Sequence, residues 1–335
     1  MPLKVKVAGK TDKGLVRSGN EDFLHIDSEN NVFAVCDGMG GHQAGEVASM
    51  TAAETVQTVF SHFNKPLLDD PKLDLGKPLP ASCELMLKAI RLANRAVYNG
   101  AQEDPSKSGM GTTIVATAFE ADIVSVAHVG DSRAYRLNER NLEPLTRDHS
   151  WVQEIQDNGN ISQNEASSFI GRNVITRALG VRENVEIDYR IVKIKPGDIF
   201  ILCSDGLCGF ADDDEIFYVA DKTRHDLNQL ADNLVQMAND RGGQDNVTVV
   251  AMQVEEVFAS PLPEVEPVTL HQEDEVLLAV EDDWLQRFRT FQDNQPEKKK
   301  TNGAKKDDGS GKLPIIIIFV IFVVIAALII YFTQK

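Results

Sequence analysis

Short, β-branched apolar runs bounded by an aspartate recur along this chain. Val32-Phe33-Ala34-Val35-Cys36 stops at Asp37, residues 124–130 stop at Asp131, and residues 199–204 stop at Asp205. Asp245 stands at the opposite polarity, ahead of Val247-Thr248-Val249-Val250. Runs this short and this β-branched read as buried strands. A carboxylate at the rim of a buried strand is costly unless something pairs it. If these strands share one sheet edge, four carboxylates converge there and must hold cations. Oxygen donors of this kind suit a hard divalent metal and metal-assisted hydrolysis.

The rest of residues 1–255 alternates strand-like and helix-like segments. Strands are predicted over 5–10, 23–27, 113–119, 123–129, 134–137, 185–194, 199–204 and 247–254, with 113–137 forming a three-stranded meander. Apolar residues recurring every three to four positions predict helices over 44–63, 82–101 and 226–238, with short ones at 150–156 and 163–169. Four prolines make 64–80 a loop. Local hairpins without a regular βαβ rhythm favour an antiparallel α+β architecture.

Charge divides the chain. The formal net charge is −17, which argues against non-specific nucleic-acid binding. Residues 293–335 hold seven lysines against four acids, a net of +3, so the remainder carries −20. Within that end, 313–332 is an apolar stretch of 20 residues without a charge. As a helix it spans ~30 Å, the hydrocarbon thickness of a bilayer. Six lysines precede it and one lies beyond it. The positive-inside bias then keeps the N-terminal body in the cytoplasm, on a tail anchor in the cell membrane. The first residues lack an apolar core long enough for a signal peptide. The four cysteines, 36, 83, 203 and 208, form no C-x-x-C pair and read as buried free thiols of a reducing compartment. Between body and anchor, 256–312 reads as a Pro-, acid- and Gly-rich linker. Val276, Val280, Trp284, Phe288 and Phe291 suggest an amphipathic helix over 273–292 inside it, docked on the body or offered to a partner.

Motifs carry the chemistry. Asp37-Gly38-Met39-Gly40-Gly41-His42 lets the backbone turn tightly, so Gly38 can offer its carbonyl to a metal. Arg17-Ser18-Gly19-Asn20-Glu21-Asp22 sets a guanidinium, able to grip two phosphate oxygens, beside two acids. Together with Gly111-Thr112-Thr113, Val129-Gly130-Asp131-Ser132-Arg133-Ala134, Ser204-Asp205-Gly206 and Asp245-Asn246, these motifs occur in an order that resembles the metal-dependent protein phosphatase family, the protein phosphatase 2C type. Asp148-His149-Ser150 and Thr176-Arg177-Ala178-Leu179-Gly180 resemble its bacterial branch.

The resemblance covers about residues 5–255. It implies two antiparallel sheets packed face to face between helix pairs, an αββα sandwich, with a mobile flap at 146–175. It implies dephosphorylation of phosphoserine and phosphothreonine on proteins with Mn²⁺ or Mg²⁺. Asp37 would bridge two metals, with the Gly38 carbonyl on one and Asp205 and Asp245 completing the other. Asp131, with Asp205, resembles the ligands of a third, weaker site. Glu21 and Asp22 would act through bound water, and Arg17 would clamp the phosphate. Met39 stands where many eukaryotic relatives carry a proton-donating His; a metal-bound water or help from elsewhere would have to serve instead, and nearby His42 reads first as a capping or packing residue. His128 reads as structural, and His149 opens the flap region. The expected protein is thus a membrane-tethered serine/threonine phosphatase acting on phosphoproteins, including membrane-associated kinases or their targets. A phosphatase dedicated to one phosphoserine switch protein, or an inactive phosphoprotein-binding scaffold, are the alternatives.

Overall fold

Strand pairing is antiparallel throughout the computed structural model, which describes residues 3–40, 44–70, 78–157, 159, 174–271 and 275–293. The strands are β1 (Lys4–Asp12), β2 (Asp22–Asp27), β3 (Val32–Met39), β4 (Gly111–Thr112), β5 (Ile114–Glu120) and β6 (Ile123–Val129). They continue with β7 (Arg133–Leu137), β8 (Leu142–Pro144), β9 (Ile187–Lys193), β10 (Ile199–Cys203), β11 (Val247–Glu256) and β12 (Val265–Leu270). One sheet has five strands in the order β1-β11-β10-β7-β8. The other has seven, β12-β9-β6-β5-β3-β2 with β4 beside β3.

Side-chain alternation decides the layers. In β3, Phe33 and Val35 face an inner core shared with Phe200, Leu202, Val250 and Met252 of the five-stranded sheet. Val32, Ala34 and Cys36 face outward into a second core with the helices α1 (Ala44–Thr58) and α3 (Ala81–Glu103). Both faces of the strand are therefore buried, which is why its sequence reads as an unbroken apolar run. Edge-to-face contacts join Phe119 to Phe33 and Phe200 across the inner core. Below the five-stranded sheet, α6 (Asp213–Thr223) and α7 (Leu227–Asp240) close a third core over Ile201, Val249 and Ala251. Shorter helices are α2 (Asn64–Asp69), α4 (Trp151–Asp157) and α5 (Asp205–Cys208).

Three expectations change. The stretch 64–80 is not all loop: a π turn, Val59–Phe63, leads into α2. Pro66 sits in the first turn of α2, where its missing N–H has no helical partner to lose. The 113–137 meander breaks after its second strand, because β6 stays with β5 while β7 pairs with β10 and β8. The turn Gly130-Asp131-Ser132 carries the chain from one sheet to the other, with Gly130 at a φ of +110°. A Cβ there would lie 2.5 Å from the Thr113 side chain, so only glycine fits. Helix α6 lies outside the predicted set, although its capping box is written in the chain: Asp212 accepts from the Glu215 N–H, and Glu215 accepts from the Asp212 N–H.

Past β11 the chain keeps folding. The strand β12 adds to β9 at the edge of the larger sheet, with Pro267 in its irregular stretch. Helix α8 (Glu275–Asp293) buries Trp284, Leu285 and Phe288 in the core beside α3. Residues through Thr290 pack as one unit, and Phe291 opens the second. Among the described residues no helix is long and apolar enough to cross a membrane. The 313–332 stretch, the helix predicted at 163–169, Gly41 and His42 lie outside the described residues.

Candidate active site

Register brings the aspartates to one end of the sandwich. Cys203, the last residue of β10, pairs with Arg133 at the start of β7 and with Val249 near the start of β11. Asp205, Asp131 and Asp245 therefore leave the five-stranded sheet from the same end. The end of β1 pairs Asp12 with Val247, which sends the next loop and Arg17 to that end as well. From the facing sheet, Asp22 and Asp37 are direct partners across β2 and β3. At this end of the five-stranded sheet the chain after β10 and the chain before β11 meet closely: a Cβ on Gly206 would fall 1.9 Å from the Asn246 carbonyl oxygen, so no side chain can stand there.

The backbone of Asp37 is pinned while its carboxylate points into the site. Its N–H donates to Thr113 Oγ1 at 3.1 Å, and its carbonyl accepts from the Thr113 N–H at 2.8 Å and the Thr112 hydroxyl at 2.9 Å. The next residue, Gly38, donates its N–H to the Glu21 carbonyl at 3.1 Å. The Asp37 and Asp205 carboxyls share a hydrogen bond. Asp245 accepts from Arg17 Nη2 at 2.7 Å and from the Asn246 N–H at 2.8 Å.

Like charge dominates this end. Burial, then the charges of Asp22, Asp205 and Asp131, hold the Asp37 pKa well above the carboxylate range. Burial and Asp205 push Asp131 up to about 8. Burial raises Asp22 to about 7 against the Ser204 hydrogen bond, and burial with Asp245 raises Asp205 to about 6. The Arg17 pKa is also raised, which for a guanidinium favours the charged form: burial opposes its charge, but Asp245 overrides it. Carboxylates crowded in this manner favour protons or a cation between them.

Two buried oxygens test whether a cation fits. Asp22 Oδ1 and Asp131 Oδ1 have no hydrogen-bond partner among the described residues. A buried lone pair without a donor costs free energy, and a hard divalent ion removes that cost. Every candidate ligand at this end offers oxygen, the chemistry of Mg²⁺ or Mn²⁺ rather than Zn²⁺. The sequence-predicted residues Arg17, Glu21, Asp22, Asp37, Gly38, Asp131, Asp205 and Asp245 thus all lie at one end of the sandwich.

Comparison with known proteins decides the family. A family model described as protein phosphatase 2C matches residues 16–251. The chain belongs to the protein phosphatase 2C family. It is 35% identical over 248 residues to a serine/threonine phosphatase, Stp, of Listeria welshimeri, covering 73% of this chain and 94% of that one. It is 36% identical over 252 residues to PstP of Mycobacterium tuberculosis, covering 75% of this chain and 45% of PstP. A crystal structure of the PstP catalytic domain with two manganese ions superposes with a TM-score of 0.65 at 32% identity, covering 76% of this chain and all of that one. Stp1 of Staphylococcus aureus gives a TM-score of 0.66 at 33% identity, over 76% of this chain and 98% of Stp1.

Within this 2C fold, several residues matter that sequence reasoning gave no role. Asn246 donates to the Lys13 and Gly19 carbonyls, each at 2.9 Å, and accepts from the Glu21 N–H at 2.7 Å. It thereby fixes the loop that presents Arg17. Ser204 donates to Asp22 Oδ2 at 2.7 Å and accepts from the Thr248 N–H at 3.0 Å, stitching the two sheets. Thr113 and Ser132 share a hydrogen bond of 2.8 Å beside Asp131. Asn246, Ser204 and Ser132 are small polar residues next to a singled-out aspartate, and Thr113 closes the Gly111-Thr112-Thr113 motif; that was the available signal.

The histidines take structural places. His128 stacks on His149 with ring centroids 4.6 Å apart. The Gly130 N–H donates to His149 Nδ1 at 3.1 Å, which puts the ring proton on Nε2, 3.2 Å from Asp188. His128, His149 and Asp188 bring ligand atoms within 4.8 Å of one another. Their nitrogens are already engaged, His128 with the Arg147 carbonyl at 2.7 Å, and the Arg177 guanidinium lies 2.9 Å from Asp188. A hydrogen-bonded knot results, with a fixed cation where a metal would otherwise sit. Met39 is half-buried, and its methyl would meet a Cβ on Gly111 at 2.7 Å. A thioether has no proton to donate. All four cysteines are free and buried, and burial pushes the Cys83 thiol up to about 12, far from a nucleophilic thiolate. A cleft of about 580 Å³, lined in part by Thr176, Arg177, Val181 and Arg182, comes close to Gly111 through Val181, and none of the clustered aspartates is among its lining residues.

Proposed function

We propose that this 2C-type serine/threonine phosphatase hydrolyses phosphoserine and phosphothreonine on proteins at a paired Mn²⁺ or Mg²⁺ centre while tethered to a membrane. The donor-less buried oxygens of Asp22 and Asp131, inside a set of mutually repelling carboxylates, carry the metal reading. The related PstP domain with two manganese ions supports it. Asp37 would bridge two ions, the Gly38 carbonyl joining one and Asp205 and Asp245 the other. Asp131 with Asp205 would serve a third, and Glu21 and Asp22 would act through bound water. When bound, such ions supply a water of lowered pKa as the nucleophile.

The chain's own residues supply position. Thr112 and Thr113 hold the Asp37 backbone still, and Asn246 fixes the Arg17 loop. Arg17 is half-exposed at the rim, with Nη2 on Asp245, so it need only turn outward to grip two phosphate oxygens. The buried thiols take no part.

The tether rests on the uncharged 313–332 stretch and the lysines ahead of it. Anchoring raises the local concentration of membrane-associated kinases and their targets without any new contact at the site. The full chain in detergent should release phosphate from a phosphothreonine peptide with Mn²⁺ and stop in excess chelator. Undiminished turnover in chelator overturns the metal reading. The chain should sediment with membranes and resist alkaline carbonate, with its body open to protease from the cytoplasmic side only; recovery in the soluble fraction overturns the tether.

A further inference from the structure

The family match ends at residue 251, yet the packed unit runs to Thr290. The additional segment is bound to the body by unusual contacts. Helix α3 carries Lys88, Arg91 and Arg95 along one face, and α8 covers all three. Lys88 is fully buried, with Nζ on the Leu67 carbonyl and 5.6 Å from the Trp284 ring centre. Arg91 faces Glu281 at 3.6 Å. The Trp284 indole N–H and Arg287 both reach Asp70. Undocking α8 would take Glu281 from Arg91, Asp282 from Arg95 and the Trp284 ring from Lys88, while Lys88 keeps the Leu67 carbonyl and Glu84, and Arg95 keeps Glu183.

Arg95 does more than hold α8. One arm of its guanidinium donates to Asp282 of α8, and the other donates to Glu183 Oε1 at 2.6 Å. Its neighbour Asn94 grips the same loop by the backbone. Asn94 donates to the Glu183 carbonyl at 2.8 Å and accepts from the Gly180 N–H at 2.9 Å. That loop then pairs with the site: Leu179 and Thr112 exchange backbone hydrogen bonds at 2.8 and 3.1 Å. Thr112 and Thr113 hold the Asp37 carbonyl. Charge-assisted and backbone hydrogen bonds thus run without a gap from α8 to the backbone of Asp37.

We propose that α8 is a positioning element of the catalytic centre, setting the seat of Asp37 through Arg95 and the 179–183 loop. The inference rests on the reading of Asp37 as a bridging ligand. A planar guanidinium with two carboxylates is fixed in orientation; with one it can swing, and the loop it holds gains that freedom. The slack arrives at Asp37 as a small error in ligand placement, to which a metal-centred reaction is sensitive.

The test uses the full chain in detergent, with Mn²⁺ titrations, a phosphothreonine peptide, and amide exchange read residue by residue. Coupling across such a network is modest, so Asp282→Ala should lower kcat by about threefold to tenfold. The Mn²⁺ half-saturation should rise severalfold while KM for the peptide holds. Exchange should quicken at Thr112, Thr113 and Gly180 and stay unchanged in β10 and β11. Asp282→Glu should recover part of the loss, and Glu183→Ala should reproduce it, with the double variant little worse than either. Arg289→Ala, which removes an ion pair with Glu103 from the same helix, should leave kcat and half-saturation as they were. Unchanged exchange and unchanged kcat in Asp282→Ala overturn the proposal. So does faster exchange spread evenly over the body, which would mean simple destabilisation. Exchange is read without turnover, so a chain inactive with Mn²⁺ would sink the hydrolytic reading and still report on α8.

Discussion

Charge is buried twice in this molecule, by opposite means. At the sandwich end, Asp22, Asp37, Asp131, Asp205 and Asp245 gather like charge, and burial together with that charge raises the pKa of Asp22, Asp37, Asp131 and Asp205. Between α3 and α8, cations and acids are interleaved: Arg91 with Glu281, and Arg95 with Glu183 and Asp282. Burial still drives Arg91 down to about 10, but Glu281 pulls the other way. An interleaved cluster carries its own countercharge, even though the Arg91 nitrogens make no hydrogen bond among the described residues and face Glu281 only at 3.6 Å. A cluster of one sign is complete only with something added, and that asymmetry separates a structural use of buried charge from a chemical one.

The largest effect should come from neutralising the one-signed cluster. Asp37→Asn is expected to cost about 10³-fold or more in Mn²⁺-dependent turnover. Its thermal midpoint without added divalent ion should hold or rise, because one like charge is gone. A variant that instead melts early would break the contrast. The interleaved cluster should respond in reverse. Glu281→Leu leaves Arg91 buried without its acid and should cost about 3 kcal/mol in urea titrations, with Arg91→Met in the same chain recovering most of it.

Acid probes a third buried group. Burial and then the neighbouring His149 lower the His128 pKa to about 4, against the Arg147 carbonyl, Asp188 and Asp148. The unfolded chain takes up that proton near pH 6.5, so this contribution is whole above 6.5. It is lost as pH falls toward 4, up to about 3 kcal/mol, and is flat below. His128→Gln should flatten the slope of stability against pH in that window; an unchanged slope would remove His128 from the account. Mn²⁺ at a hundredfold over its Kd should add about 2.7 kcal/mol, reversed by chelator and absent in Asp37→Asn. The smallest effect belongs to the exposed rim: Arg289→Ala should change stability by less than about 0.5 kcal/mol.

The one-signed cluster was legible in the sequence because Asp37, Asp131 and Asp205 each close an apolar run that reads as a buried strand and Asp245 stands just ahead of another. Register then did the gathering, and register depends on which faces are apolar. The interleaved cluster was not legible. On α3, Lys88, Arg91 and Arg95 read as the solvated side of an amphipathic helix, since nothing local says that α8 lies over them. The helical spacing of Trp284 and Phe288 was visible, but not what it would cover. Arg133–Leu137 likewise alternates well enough for a meander; only the steric demand at Gly130 against Thr113 shows that the chain must leave one sheet for the other. The capping pair Asp212 and Glu215 is a local signal for α6 that the chain does carry. Ser204, Asn246 and Thr113 are too small and common to announce that they position ligands.

One pairing sets when this molecule can act. Strand β1 runs along β11, so the first strand made waits for almost the last one. Asp245 enters just ahead of β11, and Asp37 has been synthesised some two hundred residues earlier. On the ribosome, Asp22 and Asp37 can meet early through the β2–β3 pairing, but Asp245 joins them only after almost all the other strands have been made. Contacts of such long range close slowly. The set of carboxylates is complete only once Asp245 and β11 have been made.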